Sequence, residues 1–175
     1  MPILLARIDD RLIHGQVIAG WSQTLKVEHI IVVNDEIVNN DMQKFLFRMA
    51  TPNEIDLSIF TVKDAAEKIK NRAFDNENVM LLFKSPEDVY RLLKSGARLG
   101  EVNVGGMHFA KDKIQLFDAI FVDKQDIEMF EKIKQLNVAL EVRMVPTDAK
   151  KDIFKAIEEK IYKKDNSKGI ENNGN

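Results

Sequence analysis

Short runs of apolar, often β-branched residues alternate along this chain with longer amphipathic stretches, and that alternation leaves few folds open. The apolar runs fall at residues 3–8, 29–33, 56–60, 79–83, 101–104, 119–122 and 138–145. Their length and branching suit strands covered on both faces. The stretches between them carry helix signals. Asn34 and Asp35 are placed to cap a helix running through Met42, Phe45, Leu46 and Met49. Thr61, with Asp64 three places on, opens another through Ala65, Ala66 and Ile69. Ser85-Pro86-Glu87-Asp88 combines a cap, a first-turn proline and first-turn acids, and that helix closes at Gly96. Further helices are expected over 16–22 and 123–136, and from Asp148 to about residue 160. Residues 107–115 give no clear pattern. Strands alternating with helices need right-handed crossovers. The predicted class is α/β: an open, mostly parallel central sheet of about seven strands with helices on both faces.

A chain of 175 residues supports one domain with a substantial core, here 1–164. Residues 165–175 are rich in Asn and Gly with a single apolar residue, Ile170, and are expected to form a disordered tail. The formal charge of -2 supplies no basic excess for nucleic acid or anionic lipid, so any anion site must be local. The absence of cysteine excludes disulfides, thiol catalysis and cysteine-based metal sites. The three histidines, His14, His29 and His108, lack metal-ligand spacing, and neither a metal nor a cofactor is expected. No P-loop, dinucleotide turn or nucleophile elbow is present. The first residues meet charge at Arg7 without the pattern of a signal peptide, and no run reaches membrane-spanning length; a cytoplasmic chain is expected.

In an open α/β sheet, ligands gather at the carboxyl ends of the strands. The first such loop reads Asp9-Asp10-Arg11-Leu12-Ile13-His14-Gly15 and runs directly into a helix. Each part suits phosphoryl chemistry. An imidazole of ordinary pKa, ~6.5, is mostly neutral and nucleophilic near pH 7. A helix start offers free N–H groups and the positive end of a dipole. Arg11 can meet phosphoryl oxygens with its planar fork. Asp9 or Asp10 could hold Arg11 or fix the ring tautomer of His14. Gly15 keeps the backbone beside the ring uncrowded. From the residues alone, a solvated loop network with no chemistry stands beside this reading.

The string from Asp9 to Val17 resembles the phosphorylation-site loop of the IIB components of the mannose/fructose/sorbose class of the bacterial phosphoenolpyruvate-dependent sugar phosphotransferase system. The likeness continues in Val32-Val33-Asn34-Asp35, in Asn103-Val104-Gly105-Gly106-Met107 and in Val145-Pro146-Thr147-Asp148, and reaches from Ile3 to about Ile161. It implies that His14 accepts a phosphoryl group on Nδ1 (the pros nitrogen) from a phosphohistidine of a IIA protein or domain. It implies transfer onward to a sugar held by the membrane IIC and IID subunits, with the chain peripheral to that complex, and it is compatible with a homodimer. It also implies a fold in which the strand before the loop lies between strands 79–83 and 101–104. Ser85, Gly105 and Gly106 could then approach the phosphoryl group and His108 could face the same crevice; a simple helix cap, a tight strand-end turn and a plain loop histidine are the alternative readings of these residues.

Two other readings of these residues stay open. Asp10 and His14 could form an acid/base pair in a small hydrolase or isomerase, or the chain could be a regulatory module that reads phosphorylation. Leu12 and Ile13 are either partner contacts or anchors of the loop. Trp21 reads as core, His29 as a strand-edge polar residue and Arg143 as a sheet-edge charge.

Overall fold

A computed structural model of the protein describes residues 3–162; the expected tail at 165–175 lies outside the described residues. In chain order the strands are β1 (Ile3–Asp9), β2 (His29–Val33), β3 (Asp56–Phe60), β4 (Val79–Phe83), β5 (Glu101–Gly106), β6 (Ile114–Phe117), β7 (Ile120–Val122), β8 (Ala139–Val142) and β9 (Lys151–Asp152). All but β6 and β7 form one sheet, in the spatial order β3-β2-β4-β1-β5-β8-β9. Every neighbouring pair in it is parallel except β8 with β9. β1 therefore sits between β4 and β5, as the resemblance implied, with Arg7 level with Leu82 on one side and Asn103 on the other.

Helices cover both faces. On one face lies a helix over 15–25, wound as a π-helix through Val17–Ser22 before closing with the α-helical turn α1 (Gln23–Leu25). Beside it lies α2 (Asp41–Ala50). Val17, Trp21 and Phe47 pack there against Leu5, Ile30, Val32 and Leu82. On the other face α3 (Val62–Lys70), α4 (Pro86–Lys94), α5 (Lys124–Gln135) and α6 (Ile153–Ile157) bury Ala66, Leu92, Phe130 and Ile153 against Ile8, Ile31, Leu81 and Val104. β2 and β4 are buried at every residue because both their faces are covered.

Several sequence expectations change. The strand expected at 119–122 does not join the main sheet. It is β7, paired antiparallel with β6 in a separate hairpin, because two residues suffice to turn the chain between them. The seventh sheet strand is instead β9. Asn34 and Asp35 do not cap α2. A 3-10 turn at Ile37–Asn39 intervenes, Asn40 is the cap, and the Asn34 side chain accepts from the N–H groups of Glu36 and Ile37. The last long strand ends at Val142 rather than 145, because the Arg143 carbonyl is taken by side chains of Arg7 and Asn103. Asp148 accepts from the N–H groups of Met144 and Val145 and closes a turn, while Asp152 caps the final helix.

Met42, Phe45, Leu46 and Met49 form an exposed stripe along α2, so they add nothing to the core. Leu81 lies fully buried in β4 at the centre of the molecule. Leu81→Ala should cost about 2–5 kcal/mol in urea unfolding, the range for a large-to-small core change. Met42→Ala should stay within about 0.5 kcal/mol of the parent.

Candidate functional site

Buried charge concentrates at the carboxyl end of β1. Strand alternation puts Arg7 and Asp9 on one side of the sheet and the apolar Ala6 and Ile8 on the other. Both charged residues have no solvent exposure. Arg7 donates to Asp9 Oδ2 from Nη2 at 2.9 Å and from Nε at 3.3 Å.

After Asp9 the chain turns back sharply. The Leu12 N–H donates to the Asp9 carbonyl at 2.8 Å, and Leu12 adopts a left-handed backbone with φ of 57°. That conformation costs a leucine about 1–2 kcal/mol. Burial of its side chain, together with that of Ile13, offsets the strain. Leu12 and Ile13 are thus anchors of the loop.

The turn delivers His14 to the residue just before the helix over 15–25, where its carbonyl accepts from the Ile18 N–H at 3.0 Å. The first N–H groups of that helix, from Gly15 to Val17, have no intrahelical acceptor, and they lie at the positive end of the helix dipole.

The ring of His14 meets Asp9. Nε2 lies 3.0 Å from Asp9 Oδ2. An ionised carboxylate only accepts, so Nε2 is the donor, and in the neutral ring Nδ1 keeps its lone pair. Burial opposes ionisation of Asp9, but the hydrogen bond with His14 and the charge of Arg7 outweigh it and hold the Asp9 pKa below its usual value. The other oxygen, Oδ1, accepts from the Arg11 N–H at 3.3 Å and lies 3.8 Å from Arg11 Nε. The Arg11 side chain is about half exposed, and a guanidinium has further N–H groups to offer an anion beside that contact.

Of the two acids offered by the sequence, Asp9 takes the ring of His14. Asp10 engages His108 instead: its carboxylate accepts from the His108 N–H at 2.6 Å and pairs with ring Nδ1. The Asp10–His108 contact thus ties the loop after β1 to the residues that follow β5. The carboxyl partner of His14 is Asp9, which removes the geometric basis for an Asp10–His14 acid/base pair.

The two glycines of β5 are explained by the same charges. A Cβ on Gly105 would fall 1.8 Å from Arg7 Cζ, and one on Gly106 would fall 3.0 Å from Asp9 Oδ1. Both glycines make room for the buried pair behind His14. A Cβ on Gly15 would meet nothing within 4 Å beyond its own stretch of chain, so the space beside it is open. Ser85 caps α4, accepting from the Asp88 N–H at 3.2 Å. It lines a neighbouring crevice of about 340 Å³ between the ends of β2 and β4, together with Asp10, Asn34, Lys84 and Arg91. His29 is bonded to Glu77 and Ser58 at the far end of the sheet, away from this chemistry. Among the described residues no cluster of side chains could hold a metal ion, and no helix is long and apolar enough to cross a membrane.

Sequence reasoning missed Arg7, Asn103 and Glu141. Arg143, read as a sheet-edge charge, is in fact clamped on Glu141 at 2.8 Å and stacks over Trp21. The available signal was the alternation Arg7-x-Asp9 within a central strand, matched in register by Asn103 on β5 and Glu141 on β8.

Residues 3–168 match the family model described as the PTS system sorbose subfamily IIB component, and the chain belongs to that family of sugar phosphotransferase-system proteins. Components of this kind are phosphotransferases. The chain is 40% identical over 159 residues to the sorbose-specific EIIB component of Lacticaseibacillus casei, covering 91% of this chain and 97% of that one. It is 43% identical over 150 residues to the mannose-specific EIIAB component of Escherichia coli K12, covering 86% of this chain and 46% of that longer protein. The crystal structure of the IIBSor domain of the sorbose permease from Klebsiella pneumoniae superposes with a TM-score of 0.86 at 36% identity, over 93% of this chain and 99% of that one.

The packing of the site sets the response to substitution. Gly105→Ala should displace the Arg7 guanidinium and cost about 1–3 kcal/mol in urea unfolding, whereas Gly15→Ala should leave stability within about 0.5 kcal/mol. The buried Asp88 behaves oppositely to Asp9. Burial raises its pKa against the hydrogen bonds from Asn34 and Ser85. Its contribution to stability is present below the ordinary carboxylate value of about 3.9 and is lost as pH rises through the raised value. Asp88→Asn should therefore gain stability relative to the parent as pH rises from about 4 to 7, read by urea unfolding at each pH.

Proposed function

We propose that the protein is a phosphocarrier in sugar uptake, with Nδ1 of His14 as the atom that carries the phosphoryl group. The donor is a phosphohistidine on a IIA protein or domain, and the acceptor is a hydroxyl of a sugar held by membrane IIC and IID subunits, reached from the cytoplasmic side. The observation that carries this reading is the contact of His14 Nε2 with the buried Asp9 carboxylate, which leaves Nδ1 as the nucleophile. A relative in which a IIA and a IIB component share one name, the mannose-specific EIIAB protein, supports the choice of donor.

The chemistry balances without a metal or cofactor. In the first transfer the Nδ1 lone pair forms a bond to phosphorus while the donor's P–N bond breaks and its electron pair returns to the donor imidazole. The proton on His14 Nε2 stays in place, so the phosphorylated ring becomes cationic against the Asp9 carboxylate. In the second transfer the sugar oxygen forms a bond to phosphorus, the N–P bond breaks back to Nδ1, and the hydroxyl proton leaves to solvent. Catalysis of such transfers rests on positioning and on stabilising the charge spread over the phosphoryl oxygens. Arg11 and the N–H groups opening the helix over 15–25 are the donors this reading assigns to those oxygens. Asp10, held by His108, and the open space beside Gly15 shape the approach for donor and acceptor. Ser85 and the glycines of β5 act at greater remove, by framing the crevice and by making room for Arg7 and Asp9. Contacts with two successive partners must be transient, so small and partly polar interfaces are expected at this edge of the sheet.

Incubation with phosphoenolpyruvate, the general phosphotransferase proteins and a IIA protein should label the chain on His14 Nδ1, mapped by mass spectrometry and NMR. His14→Ala should abolish labelling. Arg11→Ala should slow it by about 10²–10³-fold, the scale for loss of one charge-stabilising donor. Labelling of His14→Ala at the parent rate would overturn the assignment.

A further inference from the structure

The pair Arg7–Asp9 does not stand alone. Nη1 of Arg7 donates to Asn103 Oδ1 at 2.6 Å and to the Arg143 carbonyl at 3.0 Å. The Asn103 amide donates to Glu141 Oε1 at 3.1 Å and to the same carbonyl at 3.2 Å. Glu141 is in turn gripped by Arg143, whose Nη2 and Nε lie 2.8 and 3.0 Å from its two oxygens. The guanidinium groups of Arg7 and Arg143 lie 5.4 and 5.1 Å from the centre of the Trp21 ring. A continuous chain of polar contacts thus runs from β8 through β5 to β1 and ends on the ring of His14.

Burial of four charged or amide groups, Arg7, Asp9, Asn103 and Glu141, is costly, and apolar residues of the same size would fill the space with less penalty. The arrangement is therefore poorly explained by stability. Its geometry is instead that of an orienting device. The Arg7 fork meets one oxygen of Asp9, the same Oδ2 that meets His14 Nε2. The other end of the fork is fixed by two acceptors, Asn103 Oδ1 on β5 and the carbonyl of Arg143 just after β8, so the carboxylate it holds has little freedom to rotate. Neutral imidazole has two tautomers, and which nitrogen carries the proton is set by the hydrogen bond that the ring makes.

We infer that Arg7, anchored by Asn103 and the Arg143 carbonyl, is a positioning residue for phosphoryl transfer: it holds the Asp9 carboxylate where His14 keeps its proton on Nε2 and offers Nδ1. Arg7 touches neither donor nor acceptor and works only through Asp9. The inference rests on the reading of His14 as the carrier, and it adds that the nucleophile is prepared from three strands rather than by its own loop.

Arg7→Lys tests it, because lysine keeps the charge but cannot reach Asp9 and Asn103 together with one ammonium group. Long-range proton–nitrogen NMR of the His14 ring should show one neutral tautomer, protonated on Nε2, in the parent protein and a mixture in Arg7→Lys. The rate of labelling from phosphorylated IIA should fall by about 10–100-fold, the usual scale for loss of an orienting partner. Asn103→Ala removes one anchor while leaving the Arg7–Asp9 pair, and should shift both readings in the same direction by less. It keeps the test decisive if Arg7→Lys fails to fold. A purely structural part for Arg7 would lower the melting temperature while leaving tautomer and rate per folded molecule unchanged. A folded variant that retains the single Nε2–H tautomer and labels within twofold of the parent overturns the inference. If the parent is never labelled on His14, the carrier reading fails, and the tautomer comparison still decides whether Arg7 orients the ring.

Discussion

A carboxylate with no exposure to solvent is the constraint on which this structure turns. Removing such an ion from water costs several kcal/mol unless its lone pairs are met by good donors. Asp9 is met on all sides: by the fork of Arg7, by His14 Nε2 and by the Arg11 N–H. Each donor then imposes its own demand. Arg7 requires an empty Cβ position at residue 105, and Asp9 requires close approach at residue 106, so β5 ends in two glycines. His14 requires the chain to return to Asp9 within five residues, so Leu12 accepts a left-handed backbone.

The fold supplies the platform for this arrangement. β1 lies between β4 and β5, both parallel to it, so its carboxyl end is the meeting point of three strand ends. The helix over 15–25 leaves that point on one face while α4 and α5 pack on the other. Loops at such an edge are free to carry polar groups, and the rigid strands beneath hold them in place. The strength of the site therefore comes from elements far apart in sequence: Arg143 and Asn103 stand 136 and 96 residues from Arg7 yet accept hydrogen bonds from its side chain.

Much of this was legible in the residues. Apolar runs marked β2, rich in β-branched residues, and β4, apolar throughout, since a strand covered on both faces has nothing to gain from polar alternation. Ser85-Pro86 marked the start of α4, and Asp123 that of α5, because capping chemistry is local. The loop from Asp9 to Gly15 pointed to an anion-handling histidine. Elements governed by non-local pairing were less legible. The run at 119–122 satisfies strand propensity equally in a sheet or a hairpin, and only its partner β6 decides between them. The end of β8 is set by hydrogen bonds from Arg7 and Asn103, which no local pattern contains.

The amino-acid sequence by itself determined the α/β class, the order of strands and helices along the chain, and the placing of His14 at a helix start after the first strand. Periodicity, caps and turn residues act over a few positions, so they can be read in one dimension. Only the tertiary structure decided that Asp9 rather than Asp10 holds the His14 ring, that Asp10 belongs to His108, and that Arg7 is the buried cation behind them. Those choices depend on which oxygen reaches which nitrogen once three strands lie side by side, and distance in space is the one quantity the linear chain does not carry.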